Sequence, residues 1–305
     1  TGTITGVKVG IVGGGVIGYA VGRELARRGV SVEISEMRAP GAGATRASAG
    51  MLAPQMEGHS EPILRLGTAS LALYDGFIAS LQADSGMAID YAWTGVYDAR
   101  SGVHVPGQAY VKVPDLMAAL LRSTARLGVT SLTRRVERPA DLDVDVVVVA
   151  AGAWSGVPVK PIRGQILQLR PAQPPPRQII WGEGIYVVPW ADGSVLVGAT
   201  SEDVGFNEEA SDEATARLRA AATQLVPVLE DAVVEDVRVG LRPATPDELP
   251  VIGWSSTMPR VCYATGHYRN GVLLTPLTAA LVAALVIDGR QDPLLELTRP
   301  DRFGL

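Results

Sequence analysis

A chain of 305 residues is too long for one small core and suits two joined domains. With 47% apolar against 19% charged residues it reads as a well-buried globular protein, and a net charge of −5 gives no electrostatic reason to hold nucleic acid or an anionic membrane. A single cysteine, Cys262, excludes an internal disulfide, a Cys-x-x-Cys redox pair and a cysteine zinc site, so a reducing cytoplasm is the expected setting and no metal is expected.

The opening Thr1–Gly6 lacks a basic stretch followed by an apolar one, so no secretory signal is expected. The run Val7–Val12 then reads as a buried parallel strand. It breaks at Gly13-Gly14-Gly15 and continues as a helix through Tyr19–Arg28, ended by Gly29. Gly13, Gly15 and Gly18 fit G-x-G-x-x-G: a tight turn, a backbone close enough for a pyrophosphate, and a helix seated close on its strand. The helix N-terminus then faces the phosphates. The next strand, Val30–Glu36, ends in Glu36, where a ribose-binding carboxylate belongs; Glu33 is its mid-strand rival. Strand, fingerprint, helix, second strand and terminal acid together point to a bound dinucleotide.

Beyond a Gly- and Pro-rich loop (37–43), Ala44–Leu52 reads either as a second phosphate clamp, with Arg46 neutralising the anion, or as a helix start capped by Thr45. Apolar spacing predicts a helix over 61–81, strand and turn over 86–97, a helix over 116–126 and a short strand over 129–136. Asp141–Asp145 lacks the glycine and the terminal glutamate of a calcium loop and reads as a solvated turn. Val146–Gly152 predicts a fully buried strand returning to the first sheet, which sets Gly152–Ser155 near the dinucleotide. Strands are expected at 163–169, 186–190, 195–200, 233–239 and 261–265, the second and third as a hairpin about Asp192-Gly193. Ser211 is placed to cap a helix over 212–225, after an acidic loop at 202–210. The apolar run Val272–Ile287 reads as a buried helix ended by Gly289, since its threonines and Pro276 leave it short for a membrane span. Trp181 and Trp190 read as core or interface residues, and His59 and His104 as loop residues without a catalytic part.

The stretches Val9–Gly18 with Glu36, Ala49–Leu52, Gly152–Ser155, Gly240-Leu-Arg-Pro-Ala-Thr245 and Gly266-His-Tyr-Arg-Asn-Gly271 with Val272–Leu274 occur in the order seen in the D-amino-acid oxidase superfamily, and the chain resembles its glycine oxidases over nearly its whole length. The resemblance implies an α/β fold: a Rossmann-like FAD-binding domain with a parallel sheet (residues 1–85, 111–163 and 238–305) and an inserted antiparallel-sheet substrate domain (86–110 and 164–237). It implies FAD, with Gly13, Gly15, Val16, Ile17 and Gly18 under the pyrophosphate and Glu36 and Met37 at the ribose. Ala44, Thr45, Ala49, Gly50 and Met51 match flavin contacts, Val136 an adenine contact, and Gly152 falls beside the dinucleotide. His267, Tyr268, Arg269, Asn270, Gly271, Val272 and Leu273 wrap the flavin ring. Arg242 matches the arginine that grips the substrate carboxylate, Tyr186 a tyrosine that supports it, and Arg269 a second substrate contact. Without the resemblance, Arg242 reads equally as a surface arginine paired with Asp247 or Glu248.

The implied reaction takes hydride from the α-carbon of glycine or a small D- or N-methyl amino acid to flavin N5, with the imine hydrolysed and O2 restoring the cofactor to give hydrogen peroxide. No acid or base residue is required. The resemblance places this in thiamine (thiazole) biosynthesis and leaves open a homo-oligomer and a hand-off of the imine to a thiazole synthase. The alternatives are a dehydrogenase of imino or N-methyl amino acids that passes electrons to a carrier, and a non-catalytic flavoprotein. Cys262 falls off the position of covalent flavin attachment, so noncovalent FAD is expected, and Ser201 stands where a bulky apolar residue is common.

Overall fold

The computed structural model describes residues 6–56 and 60–305; His59 and residues 1–5 lie outside the described residues. The chain opens with β1 (Lys8–Val12), α1 (Val16–Arg27) and β2 (Ser31–Glu36). The helix starts at Val16, ahead of the expected Tyr19, because Gly15 takes the extended N-cap conformation and the Val16 N–H donates to Thr45 Oγ1 at 3.1 Å. Short β3 (Met51–Leu52) leads to α2 (Glu61–Leu71) and α3 (Tyr74–Ser85), two helices where the apolar spacing predicts one. No glycine or proline marks this break. It is held from outside: Ser70 and Tyr74 donate their hydroxyls to the carbonyls of Leu273 and Val272.

Strands β4 (Tyr91–Ala92), β5 (Val96–Asp98), β6 (Val103–Val105) and β7 (Ala109–Val111) follow, then α4 (Val113–Arg126), β8 (Thr130–Thr133) and β9 (Val146–Val149). The middle of the chain supplies β10 (Lys160–Arg170), β11 (Ile179–Trp181), β12 (Tyr186–Pro189), β13 (Val195–Gly198), α5 (Asp212–Leu225) and β14 (Val233–Ala244). Ser211 Oγ accepts from the Ala214 N–H at 3.2 Å, the cap expected for α5. The chain ends with β15 (Val251–Trp254), β16 (Val261–Thr265) and α6 (Thr275–Asp288). Helix α6 begins three residues later than its apolar run, since Val272–Leu274 form the turn that enters it.

These strands make two main sheets. The first has the order β15-β16-β9-β1-β2-β8; all its pairs are parallel except the edge pair β15–β16. β15 is an element the sequence pattern missed. Helices α1–α4 and α6 cover one face of this sheet over the largest core cluster, which includes Ile11, Leu25, Leu120 and Val282. The second sheet has the order β14-β10-β13-β12-β11-β5-β6, with β11–β5 its one parallel pair.

Register decides which side chains of the second sheet meet. Cross-strand partners share a face. Ile162 pairs with Arg242 and Gly164 with Gly240, while Ile166 pairs with Gly198, Gly198 with Tyr186, and Tyr186 with Trp181. One face therefore carries Arg242, Gly164, Gly198, Tyr186 and Trp181 together. The other carries Leu167, Val187 and Val197, buried against α5.

Candidate active site

The two sheets enclose a cavity of about 1130 Å³, larger than the ~300–1,000 Å³ of a small-ligand pocket. At one end stands the glycine turn. Gly13 has φ +113°, open to glycine alone, and a Cβ there would run into the Ala150 carbonyl. A Cβ at Gly18 would strike the Gly13 carbonyl, so Gly18 acts through packing and does not itself line the cavity. Gly13, Gly15, Val16 and Ile17 do line it, at the positive end of α1.

Glu36 lines the cavity, and its carboxylate accepts the Gly14 N–H at 2.7 Å and the Arg38 N–H at 2.8 Å, one on each oxygen. Each oxygen keeps acceptor capacity for a hydroxyl. The rival Glu33 is taken up by Arg134, at 2.7 Å, and Lys8, at 3.8 Å. Met37, Ala44, Thr45, Ala49, Val136 and Gly152 all line the cavity. Ala44–Leu52 forms neither a helix nor a clamp through Arg46: Thr45 caps α1 from a different segment, and the exposed Arg46 pairs with Asp236 at 3.2 Å, outside this cavity.

Of the stretch expected to wrap the flavin ring, His267, Tyr268, Arg269, Gly271 and Val272 line the cavity; Asn270 and Leu273 do not, and neither do Gly50 and Met51. Leu273 is buried in the core, Met51 packs beside the second sheet, and Gly50, at φ +73°, is pressed against the Val111 carbonyl. Asn270 is buried, its N–H on the His267 carbonyl at 2.8 Å. His267 is also buried, its Nε2 3.0 Å from Thr278 Oγ1, and burial drives its pKa down to about 3. It stays neutral at working pH. The loop docks on the second sheet: the Tyr268 N–H donates to the Pro243 carbonyl at 3.1 Å, and Tyr268 holds φ +47° there, a strained position for a bulky residue.

That docking sets the loop beside Arg242. The guanidinium lies in the cavity and donates from Nη1 to the Thr200 carbonyl at 3.0 Å. Asp247, its candidate surface partner, is held by Arg302 at 2.8 Å instead. Tyr186 lines the same region with its ring 5.9 Å from that of Trp181. Trp181 is thus a wall of the cavity rather than plain core, while Trp190 is buried away from it. Ser201 also lines the cavity. Three residues without a sequence signal close one side: Arg38 sits 4.4 Å over the Trp154 ring, Phe206 packs 5.7 Å from Trp154, and Glu208 pairs with Arg38 at 2.8 Å. The acidic loop therefore straps the second sheet to the first.

A flavin dinucleotide fits these residues. The glycine turn is a cradle that side chains would fill, the acid stands beyond it, and the buried Arg38 Nε has no hydrogen-bond partner among the described residues. Cys262 lies within β16, buried outside the cavity, its thiol pushed up to about 12 by burial.

The family described as DAO, FAD dependent oxidoreductase, matches residues 8–100 and 97–285. The chain is 32% identical to the glycine oxidase of Geobacillus kaustophilus, over 91% of this chain and 92% of that protein. It is 33% identical to the Bifunctional protein ThiO/ThiG of Nostoc sp., over 93% of this chain and 53% of that protein, so it spans about half the length of that relative. The crystal structure of glycine oxidase from Geobacillus kaustophilus superposes with a TM-score of 0.87 at 30% identity, covering 94% of this chain and 96% of the other.

Proposed function

The chain belongs to the DAO family of FAD-dependent oxidoreductases, and on that premise we propose that it oxidises the C–N bond of glycine or a small D- or N-methyl amino acid. The observation that carries this reading is Arg242: a guanidinium inside the cavity between the two sheets, beside Tyr186 and the 266–271 loop. A cofactor holder needs no such fork, whereas an amino-acid carboxylate is matched by it.

In this reading Arg242 takes the carboxylate, with the Tyr186 hydroxyl supporting it and Arg269 making a second contact. The benefit is positional, since gripping the acid group turns the α-hydrogen in one direction. FAD, when bound, supplies the two-electron acceptor for hydride. The α1 N-terminus with Gly13, Gly15, Val16 and Ile17 would hold its pyrophosphate, and Glu36 its ribose. The loop from His267 to Val272 would lie at its ring. His267 takes no part as a base: it is buried, neutral and pinned to Thr278. In this reading the amine leaves its proton in solvent and binds neutral, so that its own lone pair drives hydride departure. Water hydrolyses the imine, and O2 serves as the final acceptor, giving hydrogen peroxide.

The same reading divides the chain into an FAD part (1–85, 111–163 and 238–305) and a substrate part (86–110 and 164–237). It holds FAD noncovalently, which the inert, buried Cys262 supports. It sets the enzyme in thiazole formation for thiamine synthesis, handing its imine to a thiazole synthase, and the name of the Nostoc relative supports that. A cytoplasmic setting goes with it; no helix among the described residues is long and apolar enough to cross a membrane.

An anaerobic screen of flavin bleaching over glycine, sarcosine, D-proline and D-alanine tests the activity. At least one should bleach the flavin, and admitted air should restore the colour with one peroxide per turnover. A flavin that none of them bleaches refutes the reading. A flavin that stays bleached in air keeps the clamp but replaces O2 with a carrier.

A further inference from the structure

Three glycines stand in strands on the cavity face of the second sheet: Gly164 and Gly240 within β10 and β14, and Gly198 at the end of β13. Glycine weakens a strand interior, so each calls for a reason. A left-handed backbone is not the reason, since none of the three has a positive φ. The reason is what lies over them. Over Gly240 passes the 44–47 loop, where a Cβ would meet Ala47 Cβ at 2.8 Å and Ala44 Cα at 2.9 Å. Over Gly198 lies Tyr186, its hydroxyl 2.6 Å from where a Cβ would stand, with Ile166 Cγ2 at 2.8 Å. Over Gly164 lies the head of Arg242: the three atoms nearest a Cβ there are Nη1, Nη2 and Cζ of that guanidinium.

We infer that Gly164 is a positioning residue for the carboxylate clamp, a bare patch of sheet on which the Arg242 guanidinium rests and which sets its depth in the cavity; the inference rests on the reading of Arg242 given above. Register supports it. Gly164 is the diagonal neighbour of Arg242 across the β10–β14 pair, two residues from its direct partner Ile162 and on the same face. With the floor bare, the fork reaches back to the Thr200 carbonyl, at 3.0 Å from Nη1, which fixes its orientation. A methyl group at 164 meets first the tip of a flexible side chain, so the sheet can still form while the guanidinium is lifted and its bond to Thr200 broken. Gly198 plays the corresponding part under Tyr186, but Ile166 is crowded there as well, so its substitution is a less clean test.

The test is a double-mutant cycle on the flavin-loaded protein with Gly164→Ala, Arg242→Ala and the double variant. Glycolate is the carboxylate probe, read by the shift of flavin absorption, and FAD affinity is read separately by flavin fluorescence. Gly164→Ala should weaken glycolate at least about tenfold, the scale of a misplaced binding group, with FAD affinity within about twofold of the parent and KM for the amino acid raised more than kcat is lowered. In the Arg242→Ala background the same substitution should change glycolate affinity by less than about twofold. Additive losses, or a silent Gly164→Ala beside a damaging Arg242→Ala, overturn the floor alone. A silent Arg242→Ala overturns the clamp reading itself. If Gly164→Ala fails to retain flavin, the double variant decides: recovered flavin binding supports the steric relation, and continued loss overturns it.

Discussion

The two sheets solve their tasks in opposite ways. In the first, the working parts are backbone and a single carboxylate: a turn at Gly13–Gly15, the start of α1, and Glu36 at the next strand end, all within one β–α–β unit. In the second, they are two side chains, Arg242 on β14 and Tyr186 on β12, lying over bare glycines of two further strands, Gly164 on β10 and Gly198 on β13. The first needs local geometry only. The second exists only once register is correct, because a slip of one residue would turn Arg242 to the face covered by α5.

Substitutions can break this contrast. Gly13→Ala should have the largest effect, since its φ of +113° and the Ala150 carbonyl exclude a side chain. A loss of about 3 kcal/mol or more, with purified protein colourless, is expected from melting and flavin content. Arg242→Ala should spare both fold and flavin yet weaken carboxylate binding by about 2–3 kcal/mol, the worth of a charged hydrogen-bonded pair. An unchanged KM would remove the functional side of the contrast.

Acid sharpens the contrast from the loop that joins the sheets. His267 is neutral when folded down to a pKa of about 3, whereas the unfolded chain takes up that proton near pH 6.5. Above pH 6.5 neither state is charged and stability is unaffected. Below it the unfolded state gains protons and stability falls by about 1.4 kcal/mol per pH unit, or about 2 kcal/mol at pH 5. His267→Gln should flatten that part of the pH–stability curve, measured by urea titration. The smallest effect is expected from Thr45→Val, which removes the hydroxyl from the Val16 N–H and should lose about 1 kcal/mol.

Several departures from the sequence pattern have one cause. The break between α2 and α3 carries no breaker residue; it is anchored by Ser70 and Tyr74 on the turn before α6, about two hundred residues along the chain. Arg46 follows the acid Glu36 within the same loop region of the sequence, yet Asp236 of β14 draws it away. The strap of Arg38, Trp154, Phe206 and Glu208 joins three distant segments, and no spacing rule marks it.

What the residue order determined unaided was the dinucleotide unit: its glycines, its helix and Glu36 lie within reach of one another along the chain, so spacing alone specifies their geometry. The family motifs also singled out Arg242, Tyr186 and His267, which line one cavity. Their surroundings were a tertiary decision. That Arg242 rests on Gly164, that Trp181 is a wall, and that Leu273 and Met51 turn away from the cavity follow from strand register and the packing of one sheet against the other. Those contacts form between residues far apart in the chain, and no local pattern encodes them.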